Sequence, residues 1–345
     1  MTEPETAPRR AAPSTLREVG LRAGVSAMTV SRALKDDPRV APETKQRVRE
    51  AAAELGYRRN EMARSLRMGR TSGMVGLVVT NLANPFYSQM ALGAEEVVAE
   101  RGMKVVLSNT DDDEAREREV VDDLAARRVD GMIVVPAGRE QAHLGPGPLS
   151  GLPVVLAARP PSGVVADCAV LDDVGGTREA IARLVADGHR RIGFLGPSAT
   201  WTSDERLRGY RSVLGEAGIA VDARLERCSQ RDVPSAERAA AELLDLPDPP
   251  TAIFGANSRN TIGAYRAIRR AGRTGVALSG FDDFDLADML EVPLTVVAYD
   301  PGDMGRAAAR LLLDRIDERP GADSSEPRRV VVPTRIVSYP GGAFG

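Results

Sequence analysis

The sequence predicts a small all-α helix-turn-helix headpiece followed by a two-lobed α/β body with parallel sheets, and three observations carry that prediction. Residues 15–34, TLREVGLRAGVSAMTVSRAL, hold two short helical patterns on either side of Gly24. From Met74 onward, continuous apolar runs alternate with helical patterns, and the alternation restarts at about Thr177. Charge is segregated between the two parts: 15 Lys plus Arg stand against 9 Asp plus Glu up to Ser72, and 31 against 40 beyond it.

Residues 1–14 are rich in Pro, Ala, Thr and Glu without periodicity, the composition of a disordered tail. The headpiece spans 15–59. Thr15 is a predicted N-cap, and Glu18 completes a capping box in which each side chain satisfies an orphan amide of the other. Leu16, Val19 and Ala23 recur at spacings of three and four and form one apolar stripe. Gly24 stops that helix, because glycine alone enters the left-handed region without a Cβ penalty. Ser26 caps a second helix that turns Val30, Ala33 and Leu34 inward and leaves Ala27, Met28, Thr29, Ser31 and Arg32 on outer or flanking positions. Two helices across a short glycine turn are the motif whose second helix enters the DNA major groove.

Residues 35–41, KDDPRVA, form a loop, and its Arg39 joins the candidate DNA contacts. Pro42 suits the first position of a third helix, with Val48, Ala51, Ala52 and Leu55 on its apolar face and Gly56 at its end. Residues 60–72 then hold NEMARSLRM and a GRTSG run. So short a helix does not pay for its own nucleation, so this segment should order only against something else.

The body reads as strands MVGLVVTN, KVVLSNT, GMIVVPA and LPVVLAA, with helices from about Phe86 to Arg101 and Glu114 to Arg127 between the first three. The second round has a helix to Ala186, RRIGFLG, a helix to Ala217, a helix from Ser235 to Leu244, TAIFGA, a helix to Arg270 and VALSGFDD. A helix from Gly302 to Glu318 and strands near Val330 and Thr334 complete it. Buried apolar runs separated by helices are the pattern of parallel sheets.

At 345 residues the chain exceeds one core, so two or three domains are expected. Cys168 and Cys228 are far apart and the two histidines, His143 and His189, lie at no metal-ligand spacing, so neither a disulfide, a metal nor a cofactor is expected. No apolar run has the length of a signal peptide core or a membrane span, which predicts a cytoplasmic protein with no membrane partner. A basic headpiece on an acidic body fits a module that grips DNA phosphates.

Residues 15–34, continued through Val40, the helix to Glu54 and LGYRRNEMARSLRMGRTSGMVGLVV, resemble the amino-terminal half of the lactose repressor (LacI/GalR) family of bacterial transcription factors. NPFY, ADGHRRIGFLG, ERLRGY and SGFDD fall where that family has similar segments, so the resemblance covers nearly the whole chain. It implies a periplasmic-binding-protein-like sensor over 73–345, with an N-lobe of about 73–173 and 300–331 and a C-lobe of about 174–299 and 332–340. Crossovers are then expected near Val174, Tyr299 and Val332. It implies a sequence-specific regulator, usually a repressor, that binds a palindromic operator as a homodimer, sits on the nucleoid when bound, and answers to a sugar-like effector. The 60–72 segment matches the family's hinge: Leu66 stands at the leucine that wedges into the minor groove, Ala63 at the small residue of the helix pair, and Asn60 and Arg64 beside them. The family's extra coiled coil is not expected, because PGGAFG beyond Tyr339 has no heptad repeat.

In two-lobed α/β folds ligands sit at the carboxyl ends of strands. Phe86 and Tyr87, with Asn84, follow the first strand; Asp172 and Asp173 follow AVL; Arg206 lies in ERLRGY beside Trp201; Asn257 follows TAIFGA; Asp282 follows VALSGF. Carboxylates, an arginine and an asparagine among aromatic faces suit a polyhydroxylated ligand, with carbohydrate first. By resemblance, Arg206, Asn257, Asp282 and Asp173 or its neighbour Asp172 contact the effector, and Tyr299 stands where a glutamine is common. The family also usually has an aspartate where this chain has Ser258. On the DNA side, Arg32 can bond a guanine bidentately, Ala27 and Met28 offer only apolar contact, and Ser26, Thr29 and Ser31 suit phosphates. The rival reading is a sugar-binding protein or sugar-phosphate enzyme on the same two lobes, whose headpiece is not a specific DNA reader. It lacks a phosphate loop or catalytic constellation in this sequence, so no enzyme activity is expected.

Overall fold

The computed structural model describes residues 14–57, 72–197, 200–273, 275–318 and 326–341. It divides into two compact units at Arg70 and Thr71. The smaller unit holds three helices, α1 (Leu16–Ala23), α2 (Ala27–Ala33) and α3 (Pro42–Glu54). The Thr15 hydroxyl accepts from the Glu18 amide at 3.3 Å and the Glu18 carboxylate accepts from the Thr15 amide at 2.7 Å, so the capping box is closed. Such a cap stabilises a helix by about 1 kcal/mol. Gly24 sits at φ 69° and returns its amide to the Gly20 and Leu21 carbonyls. Val25 then bonds back to the Gly20 carbonyl, and Ser26 caps α2 by accepting from the Thr29 amide. Val19, Val30, Ala33, Val40, Val48, Ala51 and Ala52 make the small core, with Leu34 and Leu55 packed against it. Ser14, assigned above to the tail, instead donates to the Leu55 carbonyl at the end of α3.

The larger unit is built on two six-stranded sheets. The strands of the first are β1 (Met74–Val79), β2 (Lys104–Asn109), β3 (Gly131–Val134), β4 (Val154–Ala157), β5 (Asp167–Leu171) and β11 (Arg329–Val332), in the order β11-β5-β4-β3-β1-β2. Those of the second are β6 (Ile192–Gly196), β7 (Glu226–Cys228), β8 (Ala252–Gly255), β9 (Ala277–Phe281), β10 (Leu294–Ala298) and β12 (Arg335–Tyr339), in the order β12-β10-β9-β8-β6-β7. All pairings are parallel except β10 with β12. Helices α4 (Pro85–Glu100), α5 (Glu114–Ala126), α6 (Asp173–Ala186), α7 (Trp201–Glu216), α8 (Val233–Leu244), α9 (Ser258–Arg270) and α10 (Pro301–Asp317) link them. The chain passes between the sheets three times, after β5, after β10 and after β11. No helix among the described residues is long and apolar enough to cross a membrane.

Several elements differ from the sequence expectation. Helix α6 begins at Asp173, not Thr177, because Asp172 caps it through the Gly175 amide at 2.8 Å. A Cβ on Gly176 would stand 2.7 Å from Val297 of β10, and one on Gly175 would meet the capping Asp172 carboxylate at 2.1 Å, so the two glycines mark close packing and the cap, not a break. Helix α8 begins at Val233, not Ser235, with Asp232 and Ser235 in a capping box. Strands β7 and β10 were not anticipated. The first has only three residues, and the second is an apolar run hidden behind the Pro-containing loop before it.

Helix α10 returns from the second sheet to pack on α4 of the first lobe, and glycines set how close it comes. A Cβ on Gly93 would lie 2.1 Å from the Gly302 carbonyl oxygen, and one on Gly305 would lie 1.9 Å from that of Met90. Neither obstacle is a movable side chain. Gly305→Ala is therefore expected to destabilise the body by about 1–3 kcal/mol, the usual cost of overpacking, read as a lower urea midpoint.

Candidate functional site

Two surfaces bring candidate residues together. On the headpiece, the 100° step of α2 buries Val30 and Ala33 and leaves Ala27, Met28 and Arg32 exposed, with Thr29 and Ser31 half-buried on the flanks. Met28 is 65% exposed and lies one turn from Arg32 on the same outer face. Arg32 has no ion-pair or hydrogen-bond partner among the described residues. Ser26 accepts the capping bond from the Thr29 amide and lies 2.9 Å from the Thr29 hydroxyl. Arg39 forks onto Asp37 of its own loop at 3.0 and 2.8 Å, which makes it less available to a phosphate than its exposure suggests. Asn60, Ala63, Arg64 and Leu66 lie outside the described residues.

In the larger unit, a cavity of about 530 Å³ opens between the lobes at the carboxyl ends of the strands. Arg206 on α7 is its fixed point. The Arg206 Nε donates to Asp173 Oδ1 at 2.7 Å, and Nη1 donates to the Ala256 carbonyl at 2.6 Å and to Asp282 Oδ1 at 3.4 Å. The Phe281 ring lies 3.5 Å from the guanidinium carbon. Tyr299 donates its hydroxyl to the same Asp282 oxygen at 2.7 Å, and burial raises its pKa well above the ordinary phenol value, so it stays a donor. Phe86 stands edge-on to both Tyr87, at 4.9 Å between centroids, and Tyr299, at 6.0 Å. Asn257 caps α9 through the Asn260 amide and lines the cavity.

Six of the eight predicted effector residues line this cavity: Phe86, Tyr87, Arg206, Asn257, Asp282 and Tyr299. Two do not. Asp173 stands behind Arg206, almost wholly buried, and holds the guanidinium rather than facing the cavity. Burial pushes its carboxyl up to about 6 in spite of Arg206, and Oδ2 has no partner among the described residues. Trp201 is the first residue of α7, and the phase of that helix turns it toward an adjoining cavity.

Residue patterning alone missed Arg159. It is buried just beyond β4, donates to the Pro136 and Ala137 carbonyls, and pairs with Asp112 at 2.9 Å. The available signal was a charged residue directly after a buried strand. It follows Ala158 at φ 61°, and in the other lobe the residue after β9, Asp282, sits at φ 68°. Each lobe thus carries a left-handed non-glycine residue at the end of a strand facing the cavity, the kind of local strain that gathers at binding sites. Arg139 pairs with Asp204, and Arg259 donates to the Ala83 carbonyl at 3.3 Å, so the lobes are bridged from two places.

Behind the Ala137 loop, Glu117 accepts from the Ala137 amide at 2.5 Å and meets His143 Nε2 at 2.9 Å. Burial raises the Glu117 carboxyl to about 7 and lowers the His143 imidazole below its ordinary value; Glu114, Arg118, Asp122 and Arg159 supply the surrounding charge.

With a folded pKa above its ordinary 4.5, Glu117 stabilises the fold fully only below about 4.5, and that contribution is lost as pH rises through about 7. Urea midpoints from pH 5 to 8 should therefore fall more in the wild type than in Glu117→Gln. Removing Arg206 leaves Asp173 buried without its counter-charge. Arg206→Ala is expected to cost about 3–5 kcal/mol, and combining Arg206→Met with Asp173→Leu should restore most of the urea midpoint.

A helix-turn-helix unit with an exposed second helix, joined in one chain to a two-lobed α/β body with a polar cleft, defines the class of DNA-binding transcriptional regulators. Residues 15–60 match the model of the lacI family of bacterial regulatory proteins, and 181–338 that of a periplasmic binding protein-like domain. The HTH-type transcriptional regulator CelR of Thermobifida fusca is 35% identical over 94% of this chain and 96% of its own length. The HTH-type transcriptional repressor CytR of Escherichia coli is 30% identical over 88% and 90%. A solved CelR–cellobiose complex superposes with a TM-score of 0.69 at 34% identity, covering 95% of this chain and all of that one. The chain belongs to the LacI family of transcriptional regulators. Its relatives are regulators, not enzymes, which disposes of the enzyme alternative.

Proposed function

We propose that this regulator represses a carbohydrate-related operon in the cytoplasm, binds a palindromic operator as a homodimer, and is controlled by a sugar or sugar derivative in the cleft. The Arg206 cluster carries the ligand side of this reading. A fixed guanidinium, the Asp282 carboxylate and Asn257 around the Phe86 and Tyr299 rings offer donors, acceptors and apolar faces together, which is what a polyhydroxylated ring requires. Cellobiose in the CelR complex supports the same ligand class. The exposed α2 face supports the DNA side: Arg32 reads a base, Ala27 and Met28 pack on apolar groove surface, and Thr29, Ser31 and Ser26 hold phosphates. Two copies related by a two-fold axis read two half-sites.

By family resemblance, Asn60, Ala63, Arg64 and Leu66 form the hinge, with Leu66 as the minor-groove wedge. Effector binding shifts the balance between two arrangements of the lobes, and the hinge passes that shift to the headpiece.

The test is selection of genomic fragments by the purified protein at near-physiological salt, followed by sequencing. The expected outcome is one short palindrome near carbohydrate genes, bound about 10-fold to 100-fold more weakly by Arg32→Ala, since a good bidentate base contact carries about 1–3 kcal/mol. Retention of fragments with no shared sequence, with and without candidate sugars, would overturn it.

A further inference from the structure

A second cavity of about 430 Å³ adjoins the first and shares Ala137, Arg159 and Thr200 with it. We propose that this outer chamber is a second sugar subsite, so that the ligand is a neutral oligosaccharide of at least two rings; the proposal rests on the carbohydrate reading of the main cavity. Thr200 lines both chambers, between Arg206 in the first and Trp201 in the second, so a ligand with one ring at Arg206 would place its next ring past Thr200.

Trp201 is the outer chamber's platform. Thr200 caps α7 by accepting from the Ser203 amide at 3.2 Å, which fixes the backbone on which the indole stands. The indole is half-buried and makes no ring contact and no hydrogen bond among the described residues. An aromatic face with a free N–H beside it matches a pyranose, whose C–H face stacks while a hydroxyl accepts.

The charges of the chamber select the ligand's chemistry. Its two arginines are already engaged, Arg139 with Asp204 and Arg159 with Asp112. Its carboxylates are not: Glu114 and Glu140 have neither an ion pair nor a hydrogen bond among the described residues. Glu114 lies directly over Gly138, where an added Cβ would stand 1.8 Å from its Oε1, so the wall is shaped to admit that carboxylate. Gln141 uses both ends of its amide to tie the loops together, accepting from Ser162 and donating to Pro160. What remains free is acceptor-rich and negative. Hydroxyl donors are welcome there, and a phosphate or carboxylate is repelled.

The chain has a single tryptophan, so its emission reports this chamber alone. The full-length protein would be titrated by calorimetry and fluorescence with glucose against cellobiose and maltose, galactose against lactose, and xylose against xylobiose. One disaccharide is expected to bind at least tenfold more tightly than its own monosaccharide and to shift the tryptophan emission, which the monosaccharide leaves unchanged. Trp201→Ala should remove that tenfold advantage, and Trp201→Phe should keep most of it by calorimetry. A disaccharide that binds without moving the emission, or no more tightly than its monosaccharide, overturns the second subsite and leaves the carbohydrate reading standing. Failure of every sugar to bind overturns both.

Discussion

The buried guanidinium of Arg206 ties together several elements at the cleft end of this molecule. Arg206 is 6% exposed, a costly place for a cation unless every direction is answered. It is answered by Asp173 at the start of α6, by the Ala256 carbonyl after β8, by Asp282 after β9 and by the Phe281 ring. Asp173 belongs to the first passage between the lobes, and Tyr299, bonded to Asp282, belongs to the second. The charge on Arg206 is thus tied directly to the first passage through Asp173, and through Asp282 to Tyr299 in the second.

The same geometry explains which residues could be read from sequence and which could not. Local rules covered the headpiece: Thr15 with Glu18, Gly24 and Ser26 each act within four residues, and each has a known stereochemical reason. The ends of strands exposed Asn257 and Asp282 for the same reason, since parallel sheets present their ligands there. Asp173 and Trp201 were placed in the cavity because they neighbour it in sequence. Their true directions follow from the phase of α6 and α7, which tertiary packing sets. Arg159 was invisible because its partners, Pro136, Ala137 and Asp112, are distant in sequence and meet it only when three loops close.

Helix α10 has a further consequence. It joins the first lobe as Pro301–Asp317, and β11 as Arg329–Val332, while that lobe's other five strands are complete by Leu171. Everything between belongs to the second lobe. During synthesis the first lobe is left with an uncovered α4 face and an unpaired β5 edge until nearly the whole body has emerged from the ribosome. Neither lobe is built from one continuous stretch of chain, and a chain truncated between them would expose an apolar helix groove and an open sheet edge, two features that favour aggregation.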